Sequence, residues 1–196
     1  SWWLKNHLKK NVRHILLLGG YDDSQVKKIK KKSFNSTLNV LFIGRLEKWK
    51  GCSEFLDAAL KLLKYDENKF SFTIVGKGTL EKKVINQIRS SKYENKFSLF
   101  KNIENKKIYQ LYNCSNVYVS LNKLGSLSNS NIEALSFGKC CIFLKSDSLS
   151  RVDLSTDKII PKDCIIRVSR KNTVEDLVKK LLDLHGNPKS ILNYEK

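Results

Sequence analysis

Two cations follow a run of apolar residues at a turn early in the chain. The run 39–43 (NVLFI) stops at Gly44, and Arg45 and Lys50 come next in the segment GRLEKWKG. Glycine lets a ligand approach the backbone closely, arginine can hold a phosphate through two hydrogen bonds, and lysine adds a mobile positive charge. The alternative is an ordinary surface turn of a lysine-rich chain, which is our interpretation of Lys48. For Arg45 and Lys50, the turn predicts a site for an anion.

A second candidate is the polar start of a largely apolar segment, GSLSNSNIEALSFG at 125–138. If this segment is a helix, the backbone N–H groups of Ser128, Asn129 and Ser130 have no partner inside it and can bind an anion. Glu133 lies one turn further along. A carboxylate there can accept hydrogen bonds from two sugar hydroxyls, as the acidic residue of dinucleotide sites does with ribose, or it can simply face solvent.

The segment VGKGTLE at 75–81 is a partial glycine-rich phosphate loop. It contains Gly76 and Gly78, but Glu81 stands where the dinucleotide fingerprint has its third glycine. An ordinary connection between a strand and a helix explains the segment equally well. A dinucleotide-dependent oxidoreductase is therefore one alternative function.

Short apolar runs alternate with amphipathic stretches along the chain. Several runs are apolar on both faces, as are the strands of a parallel sheet that helices cover on either side. The predicted strands are 14–18, 39–43, 70–75, 97–100, 116–121, 140–144 and 164–168. The predicted helices are 53–66, 78–91, 104–114, 129–138 and 173–184, with Ser53 and Thr173 as N-caps of the first and last, and 145–163 is a polar loop. This pattern predicts an α/β fold with a doubly wound, Rossmann-like parallel sheet.

The segments that follow the predicted strands form the candidate site, because ligands of such sheets bind outside the carboxyl ends of the strands. These segments are 19–20, 44–51, 76–79, 101–103 and 122–131. The cationic turn and the polar helix start both fall within them. The two predicted anion-binding features are therefore expected at one edge of the sheet.

The charge of the chain bears on its partners. Its 196 residues carry a formal net charge of +18, but the lysines are spread along the chain, whereas nucleic-acid modules cluster arginine with aromatic residues. We therefore predict no nucleic-acid partner and keep an anionic membrane surface as a further partner class. No apolar run is long enough to span a bilayer, and no signal peptide is visible. These features predict a cytoplasmic location, with peripheral attachment to a membrane as the alternative.

The cysteines do not suggest a metal site. They are Cys52, Cys114, Cys140, Cys141 and Cys164, an odd number without CxxC spacing or a neighbouring histidine pattern. Such cysteines indicate neither a metal site nor a disulfide framework. We predict that they are buried, reduced thiols.

Three segments together resemble a known family. FIGRLEKWKG, FTIVGKGTLE and SNVYVSLNKLGSLSNSNIEALSFGKCCIF, in this order and spacing, resemble the C-terminal half of the family 4 retaining glycosyltransferases, which have the two-domain GT-B fold. The resemblance covers residues 14–184. It implies a donor-binding domain that carries a nucleoside-diphosphate sugar, whose sugar is transferred with retention to an acceptor hydroxyl, as in a hexosyltransferase. Residues 14–196 would form this domain, and 1–13 would be a helical segment linking it to an N-terminal, acceptor-binding half.

The resemblance also implies roles for individual residues. Arg45 and Lys50 match the positions that hold the diphosphate, and Glu133 matches the second glutamate of the family's Glu-x7-Glu motif, which holds the ribose hydroxyls. The backbone of 128–130 matches the loop that faces the phosphates. The remaining donor-binding positions implied in this way are Gly44, Gly76, Asn102, Ile103, Gly125, Ser126, Ser128, Asn129 and Ser130, of which Asn102 and Ile103 lie beside the base.

One departure from the family pattern affects the chemistry. The first glutamate of the motif, which contacts the donor sugar in the family, would fall at Gly125. The expectation is then a donor-binding domain that is inactive by itself, with a non-catalytic nucleotide-binding subunit or one half of a split transferase as the alternative. We expect neither cofactor nor metal, since GT-B enzymes neutralise the leaving diphosphate with cationic side chains and helix N-termini.

Overall fold

A computed structural model describes residues 36–150 and 152–193 of the chain. Six strands within these residues form one parallel sheet, in the order β3-β2-β1-β4-β5-β6. They are β1 (Leu38–Ile43), β2 (Phe70–Val75), β3 (Phe97–Phe100), β4 (Val117–Ser120), β5 (Cys140–Leu144) and β6 (Ile165–Val168). The order reverses between β1 and β4, which is the arrangement of a doubly wound sheet. The predicted fold class is therefore confirmed.

Helices connect each strand to the next. The α-helices are α1 (Cys52–Tyr65), α2 (Glu81–Arg89), α3 (Asn105–Cys114), α4 (Asn129–Ser136), α5 (Leu154–Ile159), α6 (Thr173–Gly186) and α7 (Lys189–Asn193). Short 3-10 turns lie at Lys48–Lys50, Glu94–Lys96 and Lys162–Cys164. No helix of the described residues has both the length and the apolar character needed to cross a bilayer.

The sheet has an apolar core on each face because successive residues of a strand point to opposite sides. In β5, Ile142 packs into the larger core, together with α1, α2 and α6, whereas Phe143 packs into the smaller core with α3 and α4. In β1, Phe42 and Leu41 divide in the same way. The strands are thus buried on both sides, as their continuous apolar runs predicted.

Several local predictions were wrong. The N-caps of α1 and α6 are Gly51 and Asn172 rather than Ser53 and Thr173. The predicted loop 145–163 contains α5, which is only six residues long, and a helix so short leaves little periodic signal. The predicted strand 14–18 and the predicted helical segment 1–13 lie outside the described residues.

The cysteine prediction was correct in part. All five thiols are free, and Cys52, Cys140 and Cys141 are buried. Cys114 is exposed and Cys164 is partly exposed, so the prediction of burial was wrong for these two. Both lie at or next to the end of an element, Cys114 at the last position of α3 and Cys164 just before β6.

The turns after β1 and β2 touch each other through their backbones. Gly76 has φ of 145°, and a Cβ built on it would lie 1.9 Å from the carbonyl oxygen of Gly44. A side chain at position 76 would therefore clash with the turn that carries Arg45, in a backbone conformation that L-residues rarely adopt. Gly76 is required for the two turns to meet.

We expect Gly76→Ala to destabilise the fold by about 1–3 kcal/mol, since backbone strain of this kind has that cost, before any cost of the clash. Urea unfolding monitored by circular dichroism would measure the change. Gly186→Ala is the matched control, because a Cβ there meets no atom within 4 Å. The control should be neutral or stabilise by up to about 1 kcal/mol, as alanine favours helix. Equal losses in both variants would contradict the role assigned to Gly76.

Candidate functional site

The candidate site lies where the strand order reverses. β1 pairs with β2 on one side and with β4 on the other, so the loops after β1 and β4 leave the sheet next to each other and open a crevice. The turn with Arg45 and Lys50 follows β1, and the loop to α4 follows β4. The predicted convergence of the cationic turn and the polar helix start at one edge of the sheet is therefore confirmed.

The cationic turn carries two positive charges that lie close to each other. Arg45 is exposed and Lys50 is half-buried. Burial lowers the pKa of Lys50, and repulsion from the nearby Arg45 guanidinium lowers it further. Among the described residues, neither cation forms an ion pair. An anion placed here would relieve the repulsion.

The Lys50 side chain is also held by an aromatic ring. Its Nζ lies 4.7 Å from the centroid of the Trp49 ring, which is within the range of a cation–π contact. The backbone carbonyl of Trp49 accepts a hydrogen bond of 2.8 Å from the N–H of Lys123, in the loop after β4. The cation is thus presented from a turn that is anchored to the neighbouring loop.

A carboxylate that the sequence analysis missed fixes this turn to the next one. Glu47 accepts hydrogen bonds from the backbone N–H of Thr79 (3.0 Å) and from its hydroxyl (2.6 Å). These bonds lower the pKa of Glu47. Glu47 therefore connects the turn after β1 with the turn after β2, and attraction to the nearby Arg45 guanidinium lowers its pKa further.

The start of α4 offers backbone donors. Ser128 is the N-cap, but its side chain makes no capping hydrogen bond, and its Oγ lies 3.3 Å from the Oγ of Ser130. The N–H groups of the first helical turn have no partner within a helix. The N–H groups of Asn129 and Ser130 are thus available to an anion, and their role in binding one stays a prediction.

Glu133 lies on α4 and is half-buried. Burial raises its pKa, and this effect is opposed by the hydroxyl of Tyr112, which lies 3.1 Å from Oε2. The same hydroxyl lies 2.9 Å from the carbonyl oxygen of Ser130. Tyr112, a buried residue of α3, therefore orients both the carboxylate and the start of the helix. The sequence analysis missed it, because nothing in the α3 pattern distinguishes it from a core aromatic residue.

The loop before α4 is shaped around glycine. Gly125 has φ of 135°, and its carbonyl oxygen accepts a hydrogen bond of 2.5 Å from Nδ2 of Asn122. A Cβ at this position would lie 3.6 Å from Oδ1 of Asp153. The next residue, Ser126, is buried, and its Oγ has no partner among the described residues. Position 125 therefore lacks a carboxylate, and its backbone conformation favours glycine.

A cleft of 780 Å³ lies on the β2 side of the crevice. Its lining includes Arg45, Gly76 and Thr79, and also Glu81 and Lys101, which form an ion pair of 2.6 Å. The side chains of Lys50 and Glu133 do not line this cleft. The cleft therefore extends the crevice away from α4.

The remaining predicted donor-binding residues lie around these features. Gly44 begins the cationic turn and donates its N–H to the carbonyl oxygen of Val75 (3.0 Å). Asn102 is exposed just after β3, and Ile103 packs against the smaller core. These two residues follow Lys101, which lines the cleft.

Residues 23–192 match the family model described as glycosyl transferases group 1. The chain belongs to this family. A curated relative is the uncharacterized glycosyltransferase MJ1069 of Methanocaldococcus jannaschii, which is 30% identical over 118 residues, 59% of this chain. The chain spans only 29% of the length of that relative.

Solved structures share the fold of this group 1 chain. The C-terminal domain of the group 1 protein LpcC from Francisella tularensis has a TM-score of 0.68 at 18% identity, over 91% of this chain and 89% of that one. A variant of TarM from S. aureus was solved in complex with fondaparinux, alpha-GlcNAc-glycerol and UDP. It has a TM-score of 0.73 at 17% identity, over 99% of this chain and 36% of that one. The predicted likeness to the C-terminal half of a GT-B glycosyltransferase is therefore confirmed at the level of fold and family.

The fold also explains the two glycines of the partial phosphate loop, which had suggested an oxidoreductase. Gly76 is needed next to Gly44, and a Cβ on Gly78 would lie 2.5 Å from the carbonyl oxygen of Leu46. Both glycines thus serve the contact between two turns. Because packing explains them, they no longer indicate a dinucleotide site in this group 1 glycosyltransferase chain.

We expect Glu133→Gln to raise the melting temperature at neutral pH. The pKa of Glu133 is raised above its ordinary value of 4.5. Ionisation of Glu133 therefore destabilises the fold increasingly as pH rises from 4.5 through the raised pKa. Glutamine removes the charge and still accepts a hydrogen bond from Tyr112. The gain should vanish below pH 4.5, where the native carboxyl group is neutral in both states.

Glu47→Gln is the control, because the same glutamate-to-glutamine change should there shift the melting temperature in the opposite direction. The pKa of Glu47 is lowered from 4.5, so its charge stabilises the fold above that value, and this contribution is lost as pH falls through the lowered pKa. Glu47→Gln should therefore lower the melting temperature at neutral pH, and the difference should shrink in acid. Thermal unfolding across pH would measure both variants. A loss of stability at neutral pH in Glu133→Gln would contradict the burial argument.

Proposed function

We propose that the chain is the donor-binding half of a retaining glycosyltransferase and binds a nucleoside-diphosphate sugar in the crevice outside β1 and β4. The observation that carries this proposal is the pair of mutually repelling cations, Arg45 and the half-buried Lys50, near the start of α4, whose N-cap side chain makes no capping hydrogen bond. Two converging cations and free backbone N–H groups suit a diphosphate. Membership of the group 1 family supports sugar transfer as the reaction.

Each side chain has one task in this proposal. Arg45 and Lys50 bind the diphosphate and stabilise the charge that develops on it as the glycosidic bond breaks, together with the N–H groups at the start of α4. Glu133 accepts hydrogen bonds from the ribose hydroxyls. The base lies toward Asn102 and Ile103, at the end of the cleft. With the diphosphate neutralised in this way, the proposed reaction uses no metal and no cofactor.

Similar structures support a nucleotide ligand. The TarM variant was solved with UDP, and so was HepE from Anabaena, which also holds glucose and matches 82% of this chain with a TM-score of 0.65. Their identity to this chain is 17% and 14%, so the nucleotide is carried over here only as part of the proposal. UDP is accordingly the first ligand to test.

Gly125 favours a second candidate function. The position that would hold a sugar-contacting carboxylate has no side chain, and its φ of 135° favours glycine. A site that retains its diphosphate cations but lacks this group fits a non-catalytic nucleotide-binding subunit, or one half of a split transferase. Both candidates share the nucleotide site and differ in whether the sugar is transferred.

Nucleotide binding is the experiment that tests the proposal. Calorimetry of the chain with UDP, GDP, ADP and NAD should show binding of at least one diphosphate. A ligand at a hundred times its dissociation constant should stabilise the chain by about 2.7 kcal/mol in a thermal-shift assay. No binding of any diphosphate at millimolar concentration would overturn the proposal, and binding of NAD alone would restore the oxidoreductase.

Substitutions in the cationic turn should localise that binding. Arg45→Ala and Lys50→Ala should each weaken diphosphate affinity tenfold or more, because a charge-assisted hydrogen bond is worth about 1.5–3 kcal/mol. Lys48→Ala is the matched control, since Lys48 is an exposed cation of the same turn. Similar small losses of affinity in all three variants would indicate that a diffuse basic surface attracts the diphosphate. Added salt would then abolish binding.

We also expect the 196-residue chain to bind the sugar nucleotide without transferring the sugar. In the proposed two-domain enzyme the acceptor and the exclusion of water come from an N-terminal half. Without them the acceptor oxygen is not held at the anomeric carbon, and an advantage of about 7–11 kcal/mol is lost. Incubation with a radiolabelled donor and candidate acceptors would measure transfer. Rapid turnover by the chain alone would contradict this expectation.

The location and further partners stay predictions. The proposal places the chain in the cytoplasm, with an anionic membrane surface as a partner of its net charge of +18. It assigns no role to nucleic acid.

A further inference from the structure

The backbone of Ser126 is held on both sides by buried side chains. Its N–H donates to Oδ1 of Asp153 (2.8 Å), and its carbonyl oxygen accepts from Nδ2 of Asn131 (2.6 Å). Ser126 itself is 1% exposed, Asn131 1% and Asp153 8%. The loop from β4 to α4 is therefore fixed at one residue by two polar side chains, one from α4 and one from the N-cap of α5.

Asp153 has a left-handed backbone. It is the single non-glycine residue with positive φ, 64°, in the part of the chain that the structure describes. The left-handed conformation disfavours L-residues other than asparagine and aspartate. Aspartate is thus one of the few side chains that this position accepts besides glycine.

Both carboxylate oxygens of Asp153 have neighbouring donors. Besides Ser126, Oδ1 accepts a hydrogen bond from the hydroxyl of Thr156, which is completely buried. Oδ2 lies 3.3 Å from Nη1 of Arg167, and that nitrogen also donates to the carbonyl oxygen of Leu144 (2.7 Å). The second guanidinium nitrogen of Arg167 pairs with Asp157. Both oxygens of Asp153 thus have protein partners and the residue is buried, so it is placed to act on a ligand through Ser126.

Asn131 continues the network toward the cationic turn. Its Oδ1 accepts a hydrogen bond of 2.8 Å from the hydroxyl of Tyr118, which also lies 3.5 Å from the carbonyl oxygen of Ile43. Ile43 is the last residue of β1, directly before Gly44 and Arg45. Polar contacts therefore run from Asp153 through Ser126 and Asn131 to the strand end that presents the cations.

We propose that Asp153 is a positioning residue of the donor site, which holds Ser126 so that the N–H groups at the start of α4 face the same anion as Arg45 and Lys50. This inference rests on the proposed function. The terminal phosphate of a nucleoside diphosphate is the group that these N–H groups bind. Asp153 therefore contributes to the preference for a diphosphate over the corresponding monophosphate.

Two substitutions separate the carboxylate's contact from the left-handed backbone. Asp153→Asn keeps an oxygen that accepts from the N–H of Ser126, and asparagine tolerates positive φ. Asp153→Gly removes the acceptor and still permits the backbone conformation, because glycine adopts positive φ freely. If Asp153 served only to form this bend, glycine would be the better replacement.

The readout is the ratio of affinities for UDP and UMP, measured by calorimetry well below the melting temperature. GDP and GMP replace them if guanine nucleotides bind instead. Asp153→Asn should keep the native ratio within about twofold, and Asp153→Gly should lower it about tenfold, the loss expected for one charge-assisted hydrogen bond. An unchanged ratio in Asp153→Gly would overturn the inference.

A destabilised variant elsewhere controls for a general loss of stability. Val178→Ala removes two methyl groups from a partly buried side chain that packs against the larger core through α6. It should lower the melting temperature and leave the UDP-to-UMP ratio unchanged, whereas an equal fall of the ratio would overturn the inference. If the native chain binds no diphosphate, the proposed function itself fails. If it binds and Asp153→Gly keeps the native ratio, only the role of Asp153 fails.

Discussion

The turns that leave the sheet around the crevice are in direct backbone contact, and this close approach determines the rest of the site. Between Gly76 and the carbonyl of Gly44 there is no room for a Cβ, and a Cβ on Gly51 would lie 2.6 Å from the carbonyl oxygen of Leu121. The first contact joins the turns after β1 and β2, and the second joins the start of α1 to the end of β4. A rigid frame of three turns results, from whose surface Arg45 and Lys50 project.

Within this frame the unliganded site carries electrostatic costs. Burial and repulsion disfavour the charged form of Lys50, and burial disfavours the charged form of Glu133. A bound anion would offset the cost at Lys50. Two other contacts hold the loops, Glu47 with Thr79 and Asp153 with Arg167. Glu47 and Thr79 line the cleft beside Arg45, whereas Asp153 is buried and contacts the backbone of Ser126.

The sequence predicted the strands well because burial on both faces leaves continuous apolar runs between short turns. All six described strands were predicted in the correct order. The bounds agree for β2, β3 and β5, differ by one residue for β1 and β6, and are two residues too long for β4. The positions of Arg45, Lys50 and Glu133 followed from their place after a strand or at a helix start. Glu47, Asn131 and Asp153 could not be found in this way, since each acts on a residue that only the folded chain brings close. Ser53 shows the limit of predicting a helix start from residue preference alone. Serine is the commoner N-cap, but the left-handed Gly51 caps α1.

Gly125 shows how a departure from a family pattern changes in meaning once the backbone is known. From the sequence it is a missing glutamate, which a single substitution would restore. In the structure its φ of 135° disfavours any side chain, and a Cβ would lie 3.6 Å from the Asp153 carboxylate. A glutamate there would combine backbone strain with a second negative charge beside a buried one, and it would disturb the loop that Asp153 holds. A gain of sugar affinity in such a variant cannot be expected even if position 125 faces the sugar. If the proposed donor is bound, this site must therefore recognise its sugar through groups other than a side chain at position 125.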